Sequence, residues 1–277
     1  MVILLLALPT CAEFQRLYRV NINNIAAQPL PMARWLQANT PDDALVAVHD
    51  VGMMAYIGER RTLDMVGLTT PGAADAWRNG PGAVAEFIMS HDPLPDYVAA
   101  YTTARGLNYL EDTPIYGELL AGFAAEYAPE DNVAVGAEFQ GIYPVDVSGG
   151  PQFAQLTGTG YFLAELLSNN VINDMVNAAY IQSETAHDYV WSNAGPTDGF
   201  ATEVYAFEYP DCSDLCQVVD GGRLINGEEA FTVNVTPGDD AILVTRVHPV
   251  YAGTIDIYVD SEYLDTRWIP SIPGRWL

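Results

Sequence analysis

Two carboxylates and two guanidinium groups lie close together in the sequence between positions 50 and 71. These residues are Asp50, Asp64 and the adjacent pair Arg60 and Arg61. A carboxylate accepts hydrogen bonds and a guanidinium donates them in a fixed fork, so together they can bind a sugar hydroxyl or a phosphate group. We therefore predict these four residues as ligand-binding residues of one cleft. The structural alternative is that Asp50 caps the following helix while an arginine bridges it to the sheet.

The elements around this segment predict where its acidic residues lie. Residues 44–50 form an apolar, β-rich run after a turn signal at 40–43, so Asp50 falls at the C-terminal end of a strand. Ligands bind at that edge in open α/β sheets. A short helix over 53–57 and a second strand over 61–66, which contains Asp64, are predicted to follow.

The pattern D-x-G-x-x-x-Y-x-x-x-R-R-x-x-D-x-x-G-L-x-x-P, from Asp50 to Pro71, resembles the segment after the last membrane helix of GT-C-type polytopic glycosyltransferases. These are the lipid-phosphosugar-dependent mannosyl- and arabinosyltransferase-like proteins. The C-terminal RWIPSIPGRWL, residues 267–277, resembles the end of their extracytoplasmic region. The resemblance implies an extracytoplasmic chain, membrane-anchored or secreted, whose partner is the membrane domain of the same parent protein. The catalytic acidic residue of that family lies between membrane helices, so the resemblance implies no complete active site in this chain.

Charge excludes two classes of partner. The 277 residues include 36 Asp and Glu against 11 basic residues, all of which are arginine, for a formal net charge of −25. Nucleic acids and anionic membrane surfaces require basic clusters, so neither is an expected partner. The absence of lysine from the sequence also excludes a phosphate-binding P-loop.

The sequence divides into three regions. Residues 1–28 begin with an apolar run at 2–9, which fits the last turns of a transmembrane helix, a degenerate signal peptide or a buried helix, followed by a linker. Residues 29–145 alternate helical and strand patterns, which predicts a small α/β domain with a partly parallel sheet. Residues 146–277 carry short β-like runs between turn signals, which predicts a β-sandwich domain of jelly-roll type.

Particular elements follow from these patterns. In the first domain the predicted helices are 31–38, 82–90 and 116–123, and a strand is predicted at 96–101. In the second domain the predicted strands are 202–208, 229–235, 241–247 and 254–259.

Aromatic residues of the second domain provide another candidate site. The rings of Trp191, Tyr258 and Trp268 could stack on pyranose faces while neighbouring acidic residues accept hydrogen bonds from hydroxyl groups. The competing interpretation is that these rings pack in the core or between domains. The sequence therefore predicts a glycan or a lipid-linked sugar as a ligand, if these rings are exposed.

Cysteine and acidic loops suggest two structural features of the second domain. Cys212 and Cys216 fit a small local disulfide if the chain is exported, and two free thiols otherwise. No cofactor is expected, and no cysteine or histidine pattern completes a zinc site. A structural calcium ion is an option for the acidic loops at 211–220 and 238–240.

Acid–base chemistry has candidate residues but no motif that completes it. His49 and His91, the latter beside Asp92, are candidates because histidine is the side chain suited to acid–base chemistry near neutral pH, yet the sequence contains no nucleophile elbow and no H-E-x-x-H. The catalytic residues are therefore unknown and it is uncertain whether the chain is an enzyme. The leading hypothesis is a non-catalytic extracytoplasmic region of a membrane glycosyltransferase-like protein that assists glycan or lipid-linked sugar binding. The alternatives are a secreted carbohydrate-active hydrolase with a carboxylate pair between its domains, and a surface or adhesion protein.

Overall fold

The computed structural model describes residues 2–103, 107, 110–126, 128–145, 166, 168–192, 200–208, 217–238, 240–274 and 276–277. Its helices are α1 (Val2–Ala27), α2 (Pro29–Asn39), α3 (Val51–Tyr56), α4 (Ala73–Asn79), α5 (Pro81–Met89) and α6 (Ile181–Ala186), and a 3-10 turn spans Leu110–Asp112. Its strands are β1 (Leu45–Val48), β2 (Arg61–Asp64), β3 (Tyr97–Tyr101), β4 (Ala121–Ala124), β5 (Phe139–Pro144), β6 (Val190–Trp191), β7 (Thr202–Glu208), β8 (Gln217–Arg223), β9 (Glu229–Ala230), β10 (Gly253–Val259) and β11 (Glu262–Ile269).

A five-stranded mixed sheet organises the first half of the chain. The strand order is β2-β1-β3-β5-β4. Strands β2 and β3 both pair in parallel with β1, whereas β5 is antiparallel to its neighbours β3 and β4. The predicted partly parallel sheet is confirmed.

Side-chain alternation along β1 determines which helices cover each face of the sheet. Val46 and Val48 are in one core cluster with residues of α2 and α3. Leu45 and Ala47 are in the other cluster, with residues of α4 and α5. Successive side chains of a strand point to opposite faces, so one four-residue strand requires apolar cover on both sides.

Helix α5 is buried on all sides, because all nine of its residues are buried. The sheet covers one side of it and the β7–β8 hairpin covers the other, so Val204 and Val219 join the same core cluster as the sheet. Thr202 on β7 also caps the helix: its Oγ1 accepts a hydrogen bond from the Ala83 amide at 3.1 Å and donates to the Asn79 carbonyl at 2.8 Å. Such a cap typically contributes about 0.5–2 kcal/mol.

Two glycines let the backbone of α5 and that of the hairpin approach closely. A Cβ at Gly82 would lie 2.3 Å from the Glu203 carbonyl oxygen, and a Cβ at Gly221 would lie 2.4 Å from the Gly82 carbonyl oxygen. Neither contact leaves room for a side chain. The hairpin therefore packs backbone against backbone on the helix.

The second half of the chain is antiparallel β structure. Strands pair as β6–β9, β7–β8 and β10–β11, each pair forming a two-stranded antiparallel sheet. The fold class, a partly parallel α/β sheet followed by β structure, is confirmed. The domain boundary between residues 145 and 146 stays a prediction, and residues 146–165 lie outside the described part.

Several element predictions are confirmed, and others are wrong for identifiable reasons. The predicted helices at 31–38 and 82–90 correspond to α2 and α5, and the strands at 96–101, 202–208 and 254–259 to β3, β7 and β10. The predicted helix at 116–123 is wrong: the chain there leads into β4, whose residues pair with β5, so tertiary pairing overrides the local helical pattern. Segment 241–247 is irregular, and only Glu229–Ala230 of the strand predicted at 229–235 is paired.

Helix α1 is held to the rest of the chain through polar contacts near its C-terminal half. The Arg16 guanidinium bonds Asp131 at 2.6 Å, and Asn21 accepts a hydrogen bond from the Val133 amide at 2.8 Å. The apolar side chains of Phe14 and Tyr18 are exposed. Over the residues that the structure covers, no helix is both long and apolar enough to cross a bilayer.

The glycine contacts predict a stability difference between two neighbouring positions of β8. Gly221→Ala places a methyl group against the Gly82 carbonyl, whereas a Cβ at Gly222 would meet no atom within 4 Å. We expect Gly221→Ala to lower the free energy of unfolding by about 1–3 kcal/mol through overpacking. We expect Gly222→Ala to change it by about 0.5 kcal/mol or less. Urea denaturation of the two variants measures both values, and equal effects would contradict the close packing of the hairpin on α5.

Candidate functional site

The strongest candidate site lies at the point where the strand order reverses. From β1 the chain passes to β2 on one side of β1 and then to β3 on the other side. In open α/β sheets, ligands bind at the C-terminal ends of the strands at such a point. His49 and Asp50 follow β1 at this edge, and Tyr101 is the last residue of β3. The prediction that Asp50 lies at a strand's C-terminal end is confirmed.

Three side chains hold the Asp50 carboxylate. His49 Nδ1 lies 2.9 Å from Oδ1, while Oδ2 accepts hydrogen bonds from the Tyr101 hydroxyl at 2.8 Å and from Gln140 Nε2 at 2.5 Å. Gln140 reaches the site from β5, where it pairs with Tyr101 in the strand register. The Tyr101 hydroxyl oxygen in turn accepts a hydrogen bond from the Gly136 amide at 2.7 Å. Asp50 occupies the N-cap position of α3, but its side chain makes no hydrogen bond to the amides of that helix.

The hydrogen bonds fix the protonation of this cluster. Burial by itself raises the pKa of Asp50, but the hydrogen bond and charge of His49, with the Gln140 and Tyr101 hydrogen bonds, outweigh burial and lower that pKa. Burial and the Asp50 charge raise the pKa of Tyr101. Asp50 therefore stays ionised as an acceptor, and Tyr101 stays protonated as a donor.

His49 is enclosed by aromatic rings but keeps contact with solvent. Its ring centroid is 4.7 Å from that of Tyr101 and 5.4 Å from that of Trp77 on α4. Its side chain is 18% exposed. The other predicted acid–base candidate, His91, is half-buried in the loop before β3, where its Nδ1 contacts the Pro93 carbonyl, so it lies at the opposite edge of the sheet.

Both carboxylate oxygens of Asp64 accept hydrogen bonds from the loop that follows it. It is completely buried at the end of β2, and its oxygens accept the backbone amides of Val66, Gly67 and Thr69 at 3.0, 3.1 and 2.7 Å. These hydrogen bonds fix the turn that leads from β2 towards α4. In this structure Asp64 orders the loop beside the crevice.

The arginine pair lies away from this edge, which corrects the prediction of one four-residue cleft. Arg61 pairs with Leu45 at the start of the parallel strands, whereas Asp64 pairs with Val48 at their end. Arg60 is buried, and its guanidinium donates to the carbonyls of Gln37 and Thr40 at 2.6 and 2.9 Å. Parallel strands have all their C-terminal ends at one edge of the sheet, so Arg61, which begins β2, lies at the edge opposite Asp50 and Asp64.

One face of the Trp191 ring is covered by the Arg223 guanidinium group. The Arg223 guanidinium carbon lies 5.0 Å from the Trp191 ring centroid, and Arg223 binds both oxygens of Glu184 at 2.7 and 2.5 Å. The side chains of this ion pair are 4% and 9% exposed. A cation–π contact to a buried, bidentate ion pair occupies the ring face that a sugar would need.

Tyr258 and Trp268, by contrast, are exposed on one face of the β10–β11 hairpin. The register pairs Tyr258 with Tyr263 and Asp256 with Thr266, and Trp268 follows two residues after Thr266 on the same face. Tyr258, Tyr263 and Trp268 are 60%, 58% and 68% exposed. We call this set of residues the aromatic face.

Polar groups lie between the rings of the aromatic face. The Thr266 hydroxyl donates to Asp256 Oδ1 at 2.5 Å, and the Tyr263 hydroxyl is 2.8 Å from Thr266 Oγ1. Aromatic surface and hydroxyl and carboxylate groups thus meet on one side of the hairpin. Sequence analysis identified Tyr258 and Trp268 but missed Tyr263, because cross-strand pairing decides which tyrosines share a face.

The structure also brings together a carboxyl pair that was not predicted from the sequence, the fully buried Glu86 and the partly buried Asp220. Glu86 lies on α5 with no exposed surface, where it accepts hydrogen bonds from the Gly221 amide at 2.8 Å and from Asn177 Nδ2 at 2.5 Å. Asp220 on β8 accepts Arg246 at 2.8 Å and shares a hydrogen bond with Glu86. The sequence signal that could have indicated this pair is Glu86 itself, a single charged residue inside the apolar helix PGAVAEFIM.

The pair shares a proton because burial disfavours two adjacent charges. Burial, then the Asp220 charge, raises the pKa of Glu86. Burial also raises the pKa of Asp220, although the Arg246 charge opposes that rise. Glu86 is the neutral member, since Arg246 stabilises the charge on Asp220.

The predicted disulfide and calcium loops lie partly outside the residues that the structure describes. Cys212 and Cys216 lie outside the described residues, as do the acidic loop at 211–216 and Asp239. Asp220, the last residue of the proposed calcium loop, instead forms the ion pair with Arg246 inside strand β8. Within the described ranges, no group of three or more acidic, histidine or cysteine ligands is assembled for a metal ion.

The Glu86 proton predicts a specific pH dependence of stability. Unfolded Glu86 loses its proton near the ordinary value of 4.5, whereas folded Glu86 retains it to higher pH, so the folded state binds more protons in between. Stability must therefore fall as pH rises through that window. Glu86→Gln keeps a neutral group that can donate to Asp220, so we expect the variant to gain stability relative to the wild type as pH rises from 4.5.

Chemical denaturation at a series of pH values measures this difference. Glu126→Gln, at an exposed position, serves as the control and should give a flat difference from the wild type over the same window. A wild type that gains stability over Glu86→Gln with rising pH would contradict a neutral Glu86.

Comparison with known proteins gives one match. The model of the family described as Domain of unknown function (DUF8728) matches residues 20–159, just over half of the chain. No curated protein and no solved structure matches the chain. The matched residues include β1 to β5 and therefore the whole mixed sheet and the His49–Asp50 cluster. The chain belongs to the DUF8728 family.

Proposed function

We propose that this chain is the non-catalytic extracytoplasmic region of a membrane glycosyltransferase-like protein and that it helps to hold an acceptor glycan or a lipid-linked sugar. The observation that carries the proposal is the aromatic face of β10–β11. Its three rings are more than half exposed, although large aromatic side chains in a globular protein usually bury most of their surface. An exposed aromatic set with interleaved polar groups favours a binding surface.

The chemistry of the aromatic face suits a sugar. The C–H faces of a pyranose pack on aromatic rings, and its hydroxyl groups donate to carboxylates such as Asp256 and exchange hydrogen bonds with hydroxyls such as that of Thr266. A phosphate group would face the acidic residue and the net charge of −25, so the sugar part of a lipid-linked donor is the part expected to contact this face.

The exposed face of α1 supports the proposed membrane-domain partner. Leu8, Phe14, Tyr18 and Ile22 are exposed along this helix, at 61%, 68%, 59% and 47%. Phe14, Tyr18 and Ile22 follow at four-residue intervals and so form one stripe. The polar side of the same helix contacts the body of the chain through Arg16 and Asn21. Residues 50–71 resemble the segment after the last membrane helix of GT-C-type enzymes. This resemblance agrees with a membrane-domain partner beside α1, which precedes that segment in the chain.

The hydrolase alternative has no comparable support. Glu86 and Asp220 are the carboxyl pair that the structure brings together between α5 and the hairpin, and they share a hydrogen bond. Retaining glycosidases hold their carboxyl groups about 5–5.5 Å apart and inverting enzymes about 6.5–9.5 Å apart. Two directly hydrogen-bonded carboxyl groups, one of them completely buried, leave no room between them for a sugar or for water. This pair therefore fits a structural role.

The aromatic face gives a direct test of the proposed function. Trp268→Ala should weaken the binding of mannose- or arabinose-containing oligosaccharides by about tenfold or more, because a loss of about 1.4 kcal/mol corresponds to one factor of ten. Calorimetric titration of the whole chain measures the affinity. The control is Tyr56→Ala, which removes another exposed ring, 82% exposed on α3, and should leave the affinity unchanged.

Two outcomes would count against the proposal. Equal affinities for wild type and Trp268→Ala would place the sugar elsewhere on the chain. If no oligosaccharide or lipid-linked sugar fragment binds the wild type, only a structural or adhesive role remains.

A further inference from the structure

The His49–Asp50 cluster is a built site that the proposed function does not use. Four side chains from three neighbouring strands meet there: His49 and Asp50 after β1, Tyr101 on β3 and Gln140 on β5. The edge is the one at which β2 and β3 diverge from β1. Position and side-chain chemistry therefore both favour this edge of the sheet as a binding position.

The hydrogen bonds of Asp50 determine which nitrogen of His49 carries the proton. An ionised carboxylate can only accept, so the Nδ1 atom that lies 2.9 Å from Asp50 Oδ1 must be the donor. In neutral His49 the proton is then on Nδ1, and Nε2 presents a lone pair. Tyr101 and Gln140 occupy the other oxygen of Asp50, which keeps the carboxylate from turning away.

Two acceptors of this cluster have no donor among the described residues. Gln140 is completely buried, and its Oε1 makes no hydrogen bond although its Nε2 holds Asp50. His49 Nε2 has no hydrogen bond to any described group either, and the side chain is 18% exposed. Gln140 Oε1 is an orphan acceptor inside the fold, which costs about 1–3 kcal/mol, and a ligand from solvent does not reach it. His49 Nε2 keeps accessible surface, so it is the acceptor that favours a ligand able to donate a hydrogen bond.

The surroundings narrow the class of ligand. Asp50 is ionised directly behind the imidazole and the chain carries a net charge of −25, so a phosphate or carboxylate ligand would be repelled. The half-buried Trp77 ring, with its centroid 5.4 Å from that of His49, provides apolar surface beside the acceptor, whereas the Tyr101 ring, 4.7 Å away, is completely buried and packs against His49 inside the fold. A neutral molecule with hydroxyl groups and a C–H face matches both features.

We propose that this edge of the sheet binds a neutral sugar, one of whose hydroxyl groups donates a hydrogen bond to His49 Nε2. Asp50, Tyr101 and Gln140 are positioning residues, which fix the ring orientation and keep the proton on Nδ1. The site is separate from the aromatic face and does not depend on the proposed role of β10–β11.

Histidine-selective nitrogen NMR of the whole chain tests the protonation. The sequence contains only four histidines, so each ring can be assigned by substitution. We expect His49 Nε2 to be unprotonated in the neutral ring, and Asp50→Asn to move the proton towards Nε2, the tautomer that neutral imidazole prefers in water. A Nε2-protonated neutral ring in the wild type would overturn the proposal.

Titration with methyl glycosides of mannose, glucose and galactose tests the ligand. At least one glycoside should shift the His49 ring signals saturably, and mannose 6-phosphate should bind about tenfold or more weakly because of the Asp50 charge. His49→Gln keeps a donor for Asp50 but lacks the ring acceptor, so calorimetry should show loss of that binding. His91→Ala, at the opposite edge, should retain it.

Trp268→Ala separates this site from the aromatic face. The shift of the His49 signals should persist in that variant even if binding at the hairpin is lost. If no glycoside shifts the His49 ring, or if mannose 6-phosphate binds as well as the neutral sugars, the inference is wrong whatever the hairpin does.

Discussion

Complete burial of α5 is the constraint on which the rest of the structure depends. A nine-residue apolar helix needs cover on every side, and the mixed sheet supplies only one. The β7–β8 hairpin supplies the other, which requires glycine at positions 82 and 221 and a hydroxyl at position 202 to cap the helix. The second half of the chain is thereby tied to the first. Burial of α5 also explains why Glu86 keeps a proton: the helix carries its only carboxyl group into the interior, opposite Asp220.

The acidic residues near the sheet illustrate how similar side chains take different roles. Asp64 accepts three backbone amides and orders a loop, whereas Asp50 accepts three side chains and orients a histidine. Asp64 is the last residue of β2, and Asp50 follows β1 by two residues. The difference comes from the neighbours: β1 is an interior strand, so Asp50 is within reach of β3 and β5, while β2 is an edge strand and the Asp64 carboxylate meets only its own loop. A site that binds a ligand is therefore expected beside the interior strand.

Prediction from sequence succeeded where the signal is local. The periodicity of α2 and α5, the β-rich runs of β1, β3, β7 and β10, and the position of Asp50 after β1 all follow from residues adjacent in the chain. It failed where pairing partners are distant. Residues 116–123 have helical composition but lead into β4, because β5 offers an antiparallel edge. The arginine pair was placed beside Asp50 on sequence proximity, although a four-residue strand carries Arg61 to the far edge of the sheet.

The sequence by itself determined the fold class, the acidic composition and the strand-end position of Asp50, because these depend on composition and on short-range pattern. Only the tertiary structure decided which residues act together. It joined His49 and Asp50 to Tyr101 and Gln140 from strands about 50 and 90 positions away, covered one face of Trp191 with Arg223, and left Tyr258, Tyr263 and Trp268 exposed on one face. The physical reason is that hydrogen bonds and aromatic contacts act over a few ångströms, and strand order decides which distant residues come that close.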